Sequence, residues 1–101
     1  DYPTNNELDK AINWDEISYD IVRKPLLTFV QDIHSLKMKG NVEYSLSIRD
    51  IAQFCEYYRD MQNYENVLEN AILEVILIKY SDSAERELVR IRANDTFGVN
   101  L

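Results

Sequence analysis

The sequence predicts an all-α fold, a small bundle of three to four helices, from three observations. The chain has 101 residues, the size of one domain or one subdomain. It carries two glycines and two prolines, fewer than the tight turns of a sandwich or barrel consume. Its apolar residues recur at spacings of three and four over long stretches, which gathers them on one face of a helix. With 46% hydrophobic residues there is enough apolar surface for a single core.

Residues 1–13 are polar, with Pro3 and the pair Asn5–Asn6, and read as an irregular lead-in. The opening "DYPTNNELDK" has no methionine, as expected of a processed or excised segment. The bundle itself is expected over residues 14–93. From Trp14 onward Val22, Leu26, Phe29, Val30, Ile33 and Leu36 mark a helix. Pro25 disfavours helical geometry at Lys24, so the spacing predicts a kink or a fresh start there. Lys37, Lys39 and Gly40 form an ordinary helix ending.

A second helix opens at "SLSIRDIAQFCEYY", where Ser47 and Asp50 have the spacing of a capping pair. Ile48, Ile51, Ala52, Cys55 and Tyr58 form its apolar stripe, and Arg49, Gln53, Glu56 and Asp60 its polar face; "QNYEN" ends it near Gln62. A third helix is expected from Tyr64 to Tyr80. Its stripe of Val67, Leu68, Ala71, Ile72, Val75 and Ile78 is widened by Leu73, Ile76 and Leu77, the pattern of a central helix. "SDSAERELVRIR" restarts as a short helix with caps among Ser81–Ser83 and an inner face of Leu88 and Ile91. Residues 94–101 read as a linker or the start of a following unit, with a short strand at the C-terminal end.

The net charge of −7 comes from 18 acidic and 11 basic residues mixed along the chain. Phosphate neutralisation over a nucleic-acid surface needs clustered Lys and Arg, so no direct nucleic-acid contact is expected; an anionic membrane is disfavoured for the same reason. No segment supplies the roughly 20 consecutive apolar residues of a membrane span. One cysteine, Cys55, permits no internal disulfide and no thiolate metal cluster, as fits an intracellular, reducing compartment. Cys55 lies on an apolar stripe and reads as a core residue.

Few residues point to chemistry. His34 is the only histidine and has no ligand at metal-binding spacing, so a metal site is not expected. The pairs Asp15–Glu16 and Glu85–Glu87 read as solvated charge rather than as an acid–base pair. Tyr57, Tyr58 and Tyr64 suit helix packing or, alternatively, an aromatic binding surface. There is no glycine-rich phosphate loop. Arg49 stands in the first turn of its helix, where the backbone dipole already favours negative charge. It is either a surface arginine paired with Gln53 or Glu56, or a fork facing an anion supplied from elsewhere.

Residues 14–99 resemble, in the order of their parts, the small helical lid of AAA+ ATPases, and among these the midasin-type ribosome-assembly ATPases. In such lids an S-[IL]-R-[DT] element opens a helix, and its arginine, the sensor-2 residue, reaches the terminal phosphate of ATP. Here that element is Ser47, Ile48, Arg49 and Asp50. Ala71, Tyr80 and Arg86 can be laid on the long helix and arginine-containing segment that follow, and "FGVNL" resembles the opening of the next module. Related lids occur in MoxR-like ATPases and in dynein.

The resemblance implies a chain that is not catalytic alone and forms part of an ATPase. Arg49 would be its one cofactor-contacting residue, with ATP and Mg held mainly by a separate core. The partners implied are the AAA+ core, neighbouring modules and a protein or pre-ribosomal cargo, in the nucleus for a midasin-type protein. The alternative reading is a free-standing acidic helical interaction module with no nucleotide role. A large drop in ATP turnover in the full-length protein on Arg49→Ala would separate the two.

Overall fold

The computed structural model describes residues 1–101, and every regular element in it is helical. The elements are α1 (Asn5–Ala11), α2 (Lys24–Met38), α3 (Ile48–Asp60), α4 (Val67–Ala71) and α5 (Ser83–Phe97). A π-helical turn, Tyr19–Arg23, leads into α2, and a second one, Ile72–Ile76, continues α4 into a 3-10 turn at Leu77–Lys79. The radius of gyration is 12.7 Å, close to the ~13 Å of a single compact domain of this length.

The lead-in is a helix, not an irregular segment. Thr4 and Glu7 form a reciprocal capping box: the Thr4 hydroxyl accepts from the Glu7 N–H and the Glu7 carboxylate accepts from the Thr4 N–H. Leu8 and Ile12, four residues apart, enter the core, with Leu8 0% exposed. The polar composition of the segment concealed a one-turn apolar stripe. Arg23 fastens this helix to the next by a bidentate pair with Asp9, at 2.9 and 2.7 Å. Its guanidinium also lies over the rings of Trp14 and Tyr19.

The stretch after Trp14 is not one continuous α-helix. Ile17 is buried ahead of the extended cap Ser18, and the i→i+5 winding of residues 19–23 then turns Val22 into the core. Pro25 then falls in the first turn of α2 directly after the π turn, and having no N–H it leaves one carbonyl of that turn without a helical donor. The fresh start expected at Pro25 is therefore contiguous with the turn before it. Lys24 adopts helical φ −63°, ψ −49° in spite of the following proline.

The same device operates after α4. Ala71 and Ile76, and Ile72 and Leu77, are pairs five apart, and all four are buried. A regular α-helix over Tyr64–Tyr80 would spread them round its circumference; the wider π turn aligns them. The segment is less central than its composition predicted, since Leu73 is 44% and Ile78 71% exposed.

Helices α2 and α5 pack together, α1 covers one side of α2, and α3 packs against α4 and its π-helical continuation. Phe97, near the end of α5, joins the two halves: its ring is 5.5 Å from Phe29 of α2 and 6.1 Å from Phe54 of α3. The stripe on α3 is Ile51, Phe54 and Cys55, while Ile48 and Ala52 are exposed.

The final helix is longer than its motif predicted and differently faced. Asp82 caps it, and Val89 and Ala93 are its buried residues; Leu88 is half-buried and Ile91 exposed. There is no strand at the C-terminal end. Gly98 turns the chain at φ +68°, and the tail folds back on α5. There the Leu101 N–H donates to Asn94, and Arg90 donates to the Leu101 carbonyl, at 2.9 and 2.8 Å.

Leu8→Ala is expected to destabilise the chain by about 2–5 kcal/mol in urea unfolding, as for a fully buried leucine. A loss under about 1 kcal/mol would return residues 1–13 to an unstructured lead-in.

Candidate functional site

Arg49 is placed by the segment that joins α2 to α3. Helix α2 ends in a Schellman turn: the Gly40 N–H donates to Lys37 C=O and the Asn41 N–H to Leu36 C=O, both at 2.9 Å. Gly40 supplies the left-handed residue this needs, at φ +80°. Val42 and Leu46 then plug the connection into the core.

Polar contacts hold it from several directions. The Tyr2 hydroxyl donates to Leu46 C=O at 2.6 Å and the Tyr80 hydroxyl to Tyr44 C=O at 3.0 Å. The Glu43 N–H donates to Glu85 at 2.6 Å. Ser45 is bonded to His34 Nδ1 at 2.7 Å, and the His34 ring is stacked on Tyr2 with centroids 4.3 Å apart. Both pinning phenols resist ionisation: burial, then the nearby Asp50 charge, pushes Tyr2 up to about 12 and raises Tyr80 as well.

Helix α3 begins with the capping pair read from the sequence. Asp50 N–H donates to Ser47 Oγ at 3.1 Å, and Ser47 N–H returns to the Asp50 carboxylate at 2.7 Å. That carboxylate has a second partner 29 residues away: Lys79, in the 3-10 turn after α4, donates to it and lies over the Tyr44 ring. Burial by itself would raise the Asp50 carboxyl. The hydrogen bonds from Lys79 and Ser47 outweigh that and hold it below the ordinary carboxylate range.

Arg49 is exposed and donates to nothing in the chain, neither Gln53 nor Glu56. Every other arginine has an acceptor. Arg23, Arg90 and Arg92 pair with Asp9, Glu87 and Asp32. Arg59 donates to the carbonyls of Asn13 and Asp15, and Arg86 to those of Tyr80 and Ser81. The backbone N–H groups of Ile48 and Arg49 also find no acceptor, as befits a first helical turn.

Arg49 borders an open cleft of about 690 Å³ between the end of α2 and the start of α3, also lined by Tyr2, His34, Lys37, Ser45 and Ser47. Lys37, which the sequence offered only as a helix-ending cation, is exposed and unpaired.

The remaining candidates fall to packing or solvent. Cys55 is fully buried, and burial pushes its thiol up to about 11, the opposite of an activated nucleophile. Asp15 and Glu16 are exposed, Glu85 receives the Glu43 N–H, and Glu87 is held by Arg90. No three His, Cys, Asp or Glu side chains converge as a metal site, and no helix is long and apolar enough to cross a membrane. Tyr57 and Tyr64, with Met61 and Val67, line a second concavity of about 350 Å³.

Two outcomes test this geometry. The depressed Asp50 carboxyl contributes stability that is complete above its unfolded value, about pH 4. That contribution is lost as the pH falls through the lower, folded value. Asp50→Asn should cost about 1 kcal/mol at pH 7, as a lost cap does, and its urea stability should fall less steeply than wild type on acidification. Parallel curves for the two proteins would remove Asp50 from the account. Cys55 should react with iodoacetamide only as fast as the protein unfolds; rapid labelling of the folded chain would contradict its burial.

No protein-family model, curated protein or solved structure matches the chain, so a functional reading has to come from the residues of this cleft.

Proposed function

We propose that the chain is the helical lid of an AAA+ ATPase, in which Arg49 reads the terminal phosphate of ATP held on a separate core. The observation that carries this reading is the solitary state of Arg49. In a chain with excess acid, each other arginine is engaged internally, whereas Arg49 projects from a rigid first turn with unsatisfied N–H groups beside it. Such an arrangement has its acceptor outside the chain, and a guanidinium fork suits phosphate oxygens.

The chain fits a phosphate better than a metal. Asp50, the carboxylate next to Arg49, is committed to Ser47 and Lys79 and has no role for Mg. Bound ATP would supply the transferable phosphoryl group, while this chain's contribution is charge, position and movement. Arg49 would donate to terminal phosphate oxygens, stabilising charge there and drawing the lid against the core. Without that acceptor Arg49 would no longer hold the lid, which could then turn as a body.

The finer assignment is to the midasin-type group, with pre-ribosomal cargo and a nuclear location. It rests on the likeness of the Ser47–Asp50 element to the opening of those lids; the long helix expected to follow is broken between Tyr80 and Ser83.

A second reading has its own observation. Ile78 and Leu73, 71% and 44% exposed, flank Leu77 and Arg86 around a shallow concavity. An acidic helical interaction module would use that face and leave Arg49 idle.

Arg49→Ala in the full-length protein is expected to lower ATP turnover about 10²-fold, the scale of losing one charge-stabilising donor. The isolated chain carrying the same change should unfold at the wild-type urea midpoint. Unchanged turnover would favour the interaction module, and loss of the fold would make Arg49 structural.

A further inference from the structure

We propose that Ile72–Lys79 is a two-register element, in which the π turn and the 3-10 turn convert together into α-helix while the residues on either side keep their places. The proposal goes beyond the lid reading and does not depend on it. Its basis is the winding of this one segment and the apolar residues that ride on it.

The two turns depart from α geometry in opposite senses. Over Ile72–Ile76 the helix is underwound, and the Leu77 N–H reaches back five residues to Ile72 C=O. Over Leu77–Lys79 it is overwound, to about 3.0 residues per turn against about 3.6 in an α-helix. The Tyr80 N–H there reaches only to Leu77 C=O, at 3.1 Å. Rotation lost in the first turn is largely regained in the second. Straightening both therefore leaves Ala71 and Tyr80, the two buried ends, facing much as they do now and turns the residues between them. Each end has an anchor of its own: Ala71 closes regular α-helix from Val67, and the Tyr80 hydroxyl is held on Tyr44 C=O.

The sequence supplies an apolar stripe for each winding. The observed one buries Ala71, Ile72, Ile76 and Leu77 and leaves Ile78 71% exposed. Continuous α-helix selects the three-and-four spacing instead, Ala71, Ile72, Val75 and Ile78. Val75, half-buried in the observed winding, then turns inward, Ile78 follows it and Leu77 turns to solvent. An Ile and a Leu are exchanged for a Val and an Ile, a difference of one methylene in apolar content. Two packings so closely matched make a bistable element. The exchange alters the surface, because Leu77 and Ile78 share the concavity bordered by Leu73, Glu74 and Arg86, and the winding decides which of them forms its wall. It also reaches α3, since Lys79 at the end of the segment holds the Asp50 cap.

The test is amide relaxation dispersion on the 101-residue chain, which reads exchange on the microsecond-to-millisecond scale. A second state populated at about 1–10% is expected at residues 72–79 and at Asp50, with α-helical rather than coil shifts over residues 72–76. Ile78→Gln should shrink that population about tenfold, because this side chain is exposed in the observed winding and inward in the other. It should leave the urea midpoint where Ile91→Gln leaves it. Ile91 is an exposed isoleucine on α5, and its substitution should leave the exchange unaltered. The proposal is overturned if residues 72–79 show no exchange, or if Ile78→Gln leaves the exchange unchanged or enhances it. Coil shifts in the second state would mean local unfolding and would overturn it too. So would a urea midpoint for Ile78→Gln well below that of Ile91→Gln, which would put Ile78 in the core of the observed winding.

Discussion

The contact on which the arrangement depends is the wedge of Phe97 between Phe29 and Phe54. Helices α2 and α3 are joined by a connection that crosses the core at only two apolar points, Val42 and Leu46. Without a third body they could slide past each other. The end of α5 supplies it, because one aromatic ring touches a partner on each. Lys37 and Arg49 stand on those two helices at the rim of the cleft between them. Burial of aromatic surface is the energetic source of the Phe97 contact, and Arg92 with Asp32 adds a polar tie between α5 and α2 at 2.6 Å.

A second layer of order is polar. Tyr2 and Tyr80 reach the connection from opposite ends of the chain and consume its carbonyls. Asp50 gathers Ser47 and Lys79 onto one carboxylate. These bonds satisfy backbone groups that a linker would otherwise expose, and they leave Arg49 as the part of the turn with nothing to do inside the molecule. Structural and outward-facing roles are thus divided between adjacent residues.

The sequence made some of this legible and hid the rest for definite reasons. The bundle, the capping pair at Ser47 and Asp50, the glycine stop at Gly40 and the burial of Cys55 follow from local rules, and each is present. Helix α1 was obscured because a seven-residue helix shows too little periodicity to stand out against polar neighbours. The π-helical turn after α4 was missed because a five-residue apolar spacing matches neither the 3.6 nor the 2.0 template. Phe54 was left off the α3 stripe, whose buried side is centred one position from where Ile48 and Ala52 would put it. Arg49 was visible as an oddity, but its isolation was not, since that depends on where every competing carboxylate lies. Lys79 could not have been linked to Asp50 at all: no local pattern joins residues 29 positions apart.

That last pair has an electrostatic corollary. Asp50 adjoins Arg49 in sequence and would be its nearest source of negative charge. Lys79 occupies it, and so works as an insulator that keeps Arg49 from being quenched at home. The two cations also live in different media. The Lys79–Asp50 pair is largely shielded from solvent, with side chains 27% and 18% exposed, and dissolved salt reaches it poorly. Arg49 faces open water, where ionic strength shortens the range of any charge. Salt therefore weakens the outward reach of this turn while sparing the bond that holds it in place, so the chain can lose its attraction for an anion without losing its shape.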